Sequence, residues 1–158
     1  MSHLPYLLQV LQGLLTPVIA LIALYIGYQQ WQANKLKLVM DRFDRRWPIY
    51  QAVIDFIVAV CRDFKVTADD LSKFRASTIQ AEFLFGPDIS QYIDDLCARS
   101  LKLLDAKSKY RSLGQEIPPG YDPVKVVAAI TEQEKWFADL LNLRAVNEMF
   151  KKYLDISK

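Results

Sequence analysis

The stretch TPVIALIALYIGYQQWQANKLKL, Thr16 to Leu38, decides how the chain is read. No Asp, Glu, Lys or Arg precedes Lys35, and all 38 charged residues (20 Lys and Arg, 18 Asp and Glu) lie between Lys35 and Lys158. The two ends of the molecule therefore expect different solvents. Leu7 to Tyr28 are 22 residues without charge, about 33 Å of helix at about 1.5 Å per residue, enough for a hydrocarbon core. Tyr6 stands at one end, and Tyr25, Tyr28 and Trp31 at the other, the aromatic belt expected at two lipid–water boundaries. A secretory signal would carry a basic start and a small-residue exit, and this head has neither. A soluble core helix would not need both belts. The expectation is one transmembrane helix, with residues 1–34 as tail and anchor and 35–158 as a separate helical domain.

Working outward from the anchor, KLKLVMDRFDRR (Lys35 to Arg46) holds five basic and two acidic residues. From Trp47 on there are 15 basic and 16 acidic residues, so the positive excess is packed beside the anchor. The positive-inside rule then puts the C-terminal domain in the cytoplasm and the N-terminus outside. In a bacterium this means the inner membrane, with Lys35 and Lys37 at the lipid interface. Cys61 and Cys97 would be reduced there, and two isolated cysteines make neither a disulfide framework nor a metal site.

Two stripes run through the first 64 residues. Gln9, Gly13, Thr16, Ala20, Ala23 and Gly27 follow steps of four and three, a face of small and polar residues on which membrane helices can associate. Leu36, Met40, Phe43, Trp47, Tyr50, Ile54, Ile57, Cys61 and Phe64 follow the same steps and predict a long helix with an apolar seam. Pro48 interrupts that seam, so a kink or restart near Trp47 is expected.

Beyond Phe64 the punctuation is helical. Thr67 and Asp70 predict a capping box and a helix towards Phe85. Gly86-Pro87 ends that helix, and Pro87 or Asp88 opens the next, running to about Ser112. GQEIPPGYDP (Gly114 to Pro123) reads as a loop. Asp122 and Pro123 then start a helix to Leu141, and an amphipathic piece carries Val146, Met149, Phe150, Tyr153 and Leu154. With no strand-like alternation, the fold class is all-α.

Chemistry is hard to place. The histidine count is one, His3, on the far side of the membrane, so histidine-based catalysis and His-ligated metals are not expected in the domain. Five glycines form no phosphate-cradling loop. Asp69-Asp70 and Asp94-Asp95 are helix neighbours about 100° apart and make no paired site. Arg42, Arg45 and Arg46 can hold the domain cytoplasmic, grip a small anion, or pair with carboxylates of the bundle. Arg42 lies 14 residues past Tyr28, about 21 Å of helix, beyond a Debye length of about 8 Å, which favours the pairing role. Glu82, set among Ala81, Phe83, Leu84 and Phe85, is either a solvated surface residue or, if buried, the carboxylate that meets Arg42, Arg45 or Arg46, of which Arg42 and Arg46 flank the seam.

YQQWQANKLKL, FDRRWPIYQAVIDFI, AEFLFGPDISQYI and the KYL ending at Lys152 to Leu154 resemble a widespread group of small bacterial proteins of uncharacterised activity. That resemblance implies one N-terminal membrane helix and a helical cytoplasmic domain, and it brings no catalytic residue with it. Pro48 departs from the pattern, which reads as continuous helix there.

The function expected is a non-enzymatic binding or assembly module, an adaptor or oligomeric scaffold, with the bilayer and a second copy or another protein as partners. No catalytic residue, cofactor, metal or nucleic acid is expected. The alternative is a ligand-gated membrane effector, for example in antiphage defence, whose soluble bundle senses a small anionic ligand.

Overall fold

The computed structural model describes residues 4–111 and 118–156; within the first helix the side chains of 4–12, 14 and 16 lie outside the described set. Among the described residues six helices follow one another: α1 (Leu4–Asp63), α2 (Ala68–Thr78), α3 (Ala81–Leu84), α4 (Pro87–Lys109), α5 (Pro123–Leu140) and α6 (Arg144–Leu154). No strand occurs among the described residues.

Local chemistry explains most helix starts. The Thr67 hydroxyl accepts from the Asp70 N–H at 3.1 Å, and the Asp70 carboxylate accepts from the Thr67 N–H at 3.0 Å, so both orphan donors are satisfied. Pro87 opens α4 at the position where a missing N–H costs nothing. Asp122 caps α5 by accepting from Val124 and Lys125, with Pro123 behind it. The chain enters α5 through a turn closed by the Tyr121 N–H on the Pro118 carbonyl at 3.2 Å. Pro119 and Gly120 are its central residues, and Gly120 has φ +82°, the left-handed value that glycine adopts freely. Gly114 to Ile117, the start of the expected loop, and Ser112 lie outside the described residues.

Two expectations of helix boundaries are corrected. The helix from Thr67 does not reach Phe85; α2 ends at Thr78, and a turn at Ile79 and Gln80 precedes α3. In its last turn Ser77 and Thr78 donate back to the Lys73 and Phe74 carbonyls, both at 2.9 Å, the local competition with the helix ladder that Ser and Thr provide. Nor does α1 restart at Pro48. Proline removes the donor to the Asp44 carbonyl, but Asp44 and Pro48 both face solvent, where water can take that carbonyl. Beyond them, Ile49, Val53 and Phe56 anchor the helix in the core.

The chain divides into two compact units, Met1–Asp41 and Arg42–Lys158. In the first, Val18, Ile19, Leu21, Ile22, Leu24 and Ile26 are all exposed. Among the described residues no helix is long and apolar enough to cross a membrane. The stretch Leu7–Tyr28 belongs to them only in part, since several of its side chains lie outside the described set.

The second unit is a helical bundle around one apolar cluster. Ile49, Val53, Phe56, Ile57, Val60 and Cys61 come from α1, Leu71 and Phe74 from α2, Ile89, Ile93, Leu96, Cys97 and Leu103 from α4, Phe137 from α5, and Val146 and Phe150 from α6. Helix α4 packs mainly on α5. The seam expected on α1 is displaced. Ile57 and Cys61 are buried as expected, but Tyr50, Ile54 and Phe64 are half-buried and Trp47 is exposed, while Ile49, Val53, Phe56 and Val60 are fully covered. Those four residues repeat the same steps one place earlier. Enclosure on several sides requires a wider apolar stripe than a two-helix seam does.

Candidate functional site: the Arg46 clasp

Three segments remote in sequence meet at Arg46. Its Nε donates to the Leu84 carbonyl at 2.8 Å, and its Nη1 donates to the Tyr153 carbonyl at 2.8 Å. The guanidinium lies over the Phe85 ring (5.7 Å) and the Tyr153 ring (5.6 Å). A planar fork with five donors and an aromatic-stacking face suits this double duty, as an ammonium would not. Both carbonyls belong to helix ends, where acceptors are orphaned: Leu84 closes α3 and Tyr153 lies in the last turn of α6.

Around this centre the contacts continue. The Tyr153 hydroxyl donates to Asp88 Oδ1 at 2.7 Å, and Lys152 Nζ meets Asp88 Oδ2 at 2.8 Å. Hydrogen bonds from Lys152 and then Tyr153 hold the Asp88 carboxyl below its usual value, and Asp88 in turn raises Lys152. Gly86 lies under the Tyr153 hydroxyl so closely that a Cβ there would overlap it. Phe85 packs edge-on to both Phe150 and Tyr153, with centroids 5.4 Å apart in each case. Tyr50 donates to Asn147 Oδ1 at 2.9 Å and packs edge-on to Phe150. α6 is thus fastened at both ends: Asn147 to α1, and Tyr153 to α1 and to the α3–α4 corner.

The arginine cluster therefore meets the AEFLFG corner, but not through Glu82. Glu82 is exposed, on the wall of a groove of about 520 Å³ that also includes Arg75, Ser90, Ile93 and Asp94. Arg75 pairs with Asp94 there at 2.6 Å. Arg46 is half-buried and bonded to backbone oxygens, and Arg42 and Arg45 are exposed. The physical reason is economical: a helix-end carbonyl satisfies an arginine donor without requiring a second charge to leave water. A larger groove, about 790 Å³, runs between α1 and α2 over the stacked Phe56 and Phe74 rings.

The other expected residues are placed as follows. The side chains of Tyr6, Gln9 and Thr16 lie outside the described residues. Gly13, Ala20, Ala23 and Gly27 are exposed, and a Cβ on Gly13 or Gly27 would meet nothing within 4 Å. Tyr28 and Trp31 are exposed with ring centroids 6.2 Å apart, and Lys35 Nζ lies 5.7 Å above the Trp31 ring. Lys37 is exposed. Among the described residues no group of three His, Cys, Asp or Glu is placed to hold a metal ion. Burial raises the Cys61 and Cys97 thiols, which keeps them protonated and poorly nucleophilic.

Phe85, Gly86, Asp88, Lys152 and Tyr153 escaped the sequence reading as a site. A signal was there, because the FDRR, AEFLFG and KYL blocks each supply one side of the clasp. Nothing in their spacing says that they meet. No protein-family model, curated protein or solved structure matches this chain.

Proposed function

We propose that this chain is a non-enzymatic assembly module, held at the bacterial inner membrane by the N-terminal part of α1, with its bundle in the cytoplasm. One observation supports the anchor above others: Leu15, Val18, Ile19, Leu21, Ile22, Leu24 and Ile26 are 46–71% exposed. At about 100° per residue they cover roughly 220° of the helix and leave the sector of Gly13, Ala20, Ala23 and Gly27 free of large side chains. An exposed apolar surface that wide needs lipid or other chains around it. Tyr25 and Tyr28, each accepting a hydrogen bond from the glutamine one turn on (3.0 and 2.7 Å), and Lys35 near Trp31 suit a headgroup boundary. The clasp's polar groups are engaged with one another and with helix-end carbonyls, so it fastens the bundle.

Carbonate and high-salt washing of membranes, combined with a C-terminal reporter fusion, tests the reading. The protein should stay in the washed membranes, and the reporter should be active on the cytoplasmic side. Release by salt would overturn the anchor, and periplasmic activity would overturn the orientation.

A further inference from the structure

Phe64 is strained. Among the described residues it is the one non-glycine with a positive φ, +48°, a region that a bulky side chain enters at a cost. It stands just past α1, where glycine ordinarily makes this left-handed turn. Two contacts hold it there. Its ring packs against the apolar cluster, and its carbonyl accepts a hydrogen bond from Lys107 Nζ on α4. Lys107 is itself fixed by Glu134 of α5 at 2.8 Å, both side chains being half-buried. A strained residue persists only where its surroundings over-determine it, and this one sits at the entrance to a short helix.

That helix, α2, is lightly fastened. Leu71 and Phe74 are its members of the core cluster. Thr78 is buried too, but its hydroxyl donates back to the Phe74 carbonyl of its own helix. Arg75 ties α2 to Asp94 of α4, with both side chains exposed, where an ion pair contributes little. At the far end the Ile79–Gln80 turn leaves Ile79 72% exposed. The capping box of Thr67 and Asp70 is local to the helix and moves with it. We propose that α2 is a flap hinged at Phe64–Val66 and at Ile79–Gln80, with the strain at Phe64 favouring its opening and the Lys107 bond opposing it. Opening returns Phe64 to a negative φ and withdraws Val66 from the core. It also separates the Phe56 and Phe74 rings, stacked at 4.1 Å between centroids, and widens the groove of about 790 Å³ between α1 and α2 into an apolar slot.

Native-state hydrogen exchange of the full chain in detergent, read amide by amide at low urea, tests the flap. Cooperative units of a fold open with separate free energies. An 11-residue helix off the bundle is marginal, so its amides exchange once the flap opens. The α2 amides from Leu71 to Thr78 should exchange about tenfold or more faster than the slowest amides of α4 and α5. Their rates should depend less steeply on urea, because less surface is exposed. Phe137→Leu trims the core at α5, outside the flap; it should speed the slowest α4 and α5 amides several-fold and leave α2 within about twofold. Lys107→Met should speed both sets, because its bond is broken in the open flap and in the unfolded chain alike. Glu134→Gln is the milder probe of the same latch and should act in the same direction. If the α2 amides share the rate and urea slope of the slowest α4 and α5 amides, or follow them in Phe137→Leu, α2 leaves only with the whole bundle and the flap is overturned. If α2 exchange is unmoved by both Lys107→Met and Glu134→Gln, the latch at Phe64 is overturned.

Discussion

Leu24 and Leu96 are the same residue in the same secondary structure, yet one is 71% exposed and the other fully buried. The contrast holds for the two units as wholes. In the first, the described apolar side chains from Leu15 to Leu38 are exposed; in Arg42–Lys158 they converge on one cluster. Helix formation alone does not account for burial. What distinguishes the second unit is polar punctuation: Thr67, Gly86-Pro87 and Asp122-Pro123 stop and restart the chain, so that short amphipathic helices can turn their apolar faces on one another. The first unit carries no Asp, Glu, Lys or Arg before Lys35, and its small residues Gly13, Ala20, Ala23 and Gly27 are exposed like its large ones. Its apolar surface has to be covered by something other than its own chain.

The largest effect expected is the cost of opening a cavity in one unit and its absence in the other. Phe137 is fully buried, and Phe137→Ala should destabilise the bundle by about 3–5 kcal/mol. Leu24→Ala should leave bundle unfolding within about 0.5 kcal/mol of the parent. Urea unfolding of the full chain in detergent, followed by near-ultraviolet circular dichroism, measures both. A comparable loss from Leu24→Ala would break the contrast.

Next comes the clasp. Arg46→Met removes two charge-assisted hydrogen bonds and leaves two helix-end carbonyls orphaned, a loss of about 2–4 kcal/mol. Glu82→Gln, at an exposed position, should change stability by no more than about 0.5 kcal/mol. The same unfolding experiment sharpens the assignment. A large Glu82 effect coupled to Arg46 would restore the ion pair expected from the sequence and remove the carbonyl clasp as the main contact.

A smaller loss is expected at Gly86. Gly86→Ala places a methyl against the Tyr153 hydroxyl and 2.8 Å from Asp88 Oδ1, overpacking that costs about 1–3 kcal/mol. Tyr153→Phe removes the clashing oxygen and leaves ring carbon Cζ at 3.3 Å. The double variant should therefore lose less than the sum of the singles, by more than about 0.5 kcal/mol. Simple additivity would mean that the close approach does not constrain residue 86.

The smallest effect is a pH dependence confined to the second unit. The Asp88 carboxyl is held below its ordinary value of 3.8 by Lys152 and Tyr153. A depressed folded-state pKa gives stability that is present above the ordinary value and lost as pH falls through the folded one. Stability should thus decline below about pH 4, and Asp88→Asn should flatten part of that decline. Asp70, also lowered by its bonds to Thr67, remains in both proteins and contributes to what is left. The effect is small because the Asp88 side chain is 37% exposed. Parallel acid limbs for parent and variant would show that Asp88 carries no pH-dependent stability.

By itself the sequence determined everything that depends on neighbours along the chain. It placed the all-helical class, the charge-free first fifth, the capping box at Thr67, the Gly86-Pro87 corner and the Asp122 cap, because each arises from residues within one or two turns. Tertiary structure alone decided the continuity of α1 through Pro48 and which of two equally spaced stripes on α1 is buried. Ile49, Val53, Phe56 and Val60 repeat the same steps as Tyr50, Ile54 and Ile57, and only the helices packed around them set the phase. Arg46 makes the point most plainly. Its charge and its approach to the AEFLFG corner were legible, but its acceptors are backbone carbonyls, which every residue carries and no sequence pattern marks. Which of them is an orphan within reach is settled only when α3 and α6 end beside α1.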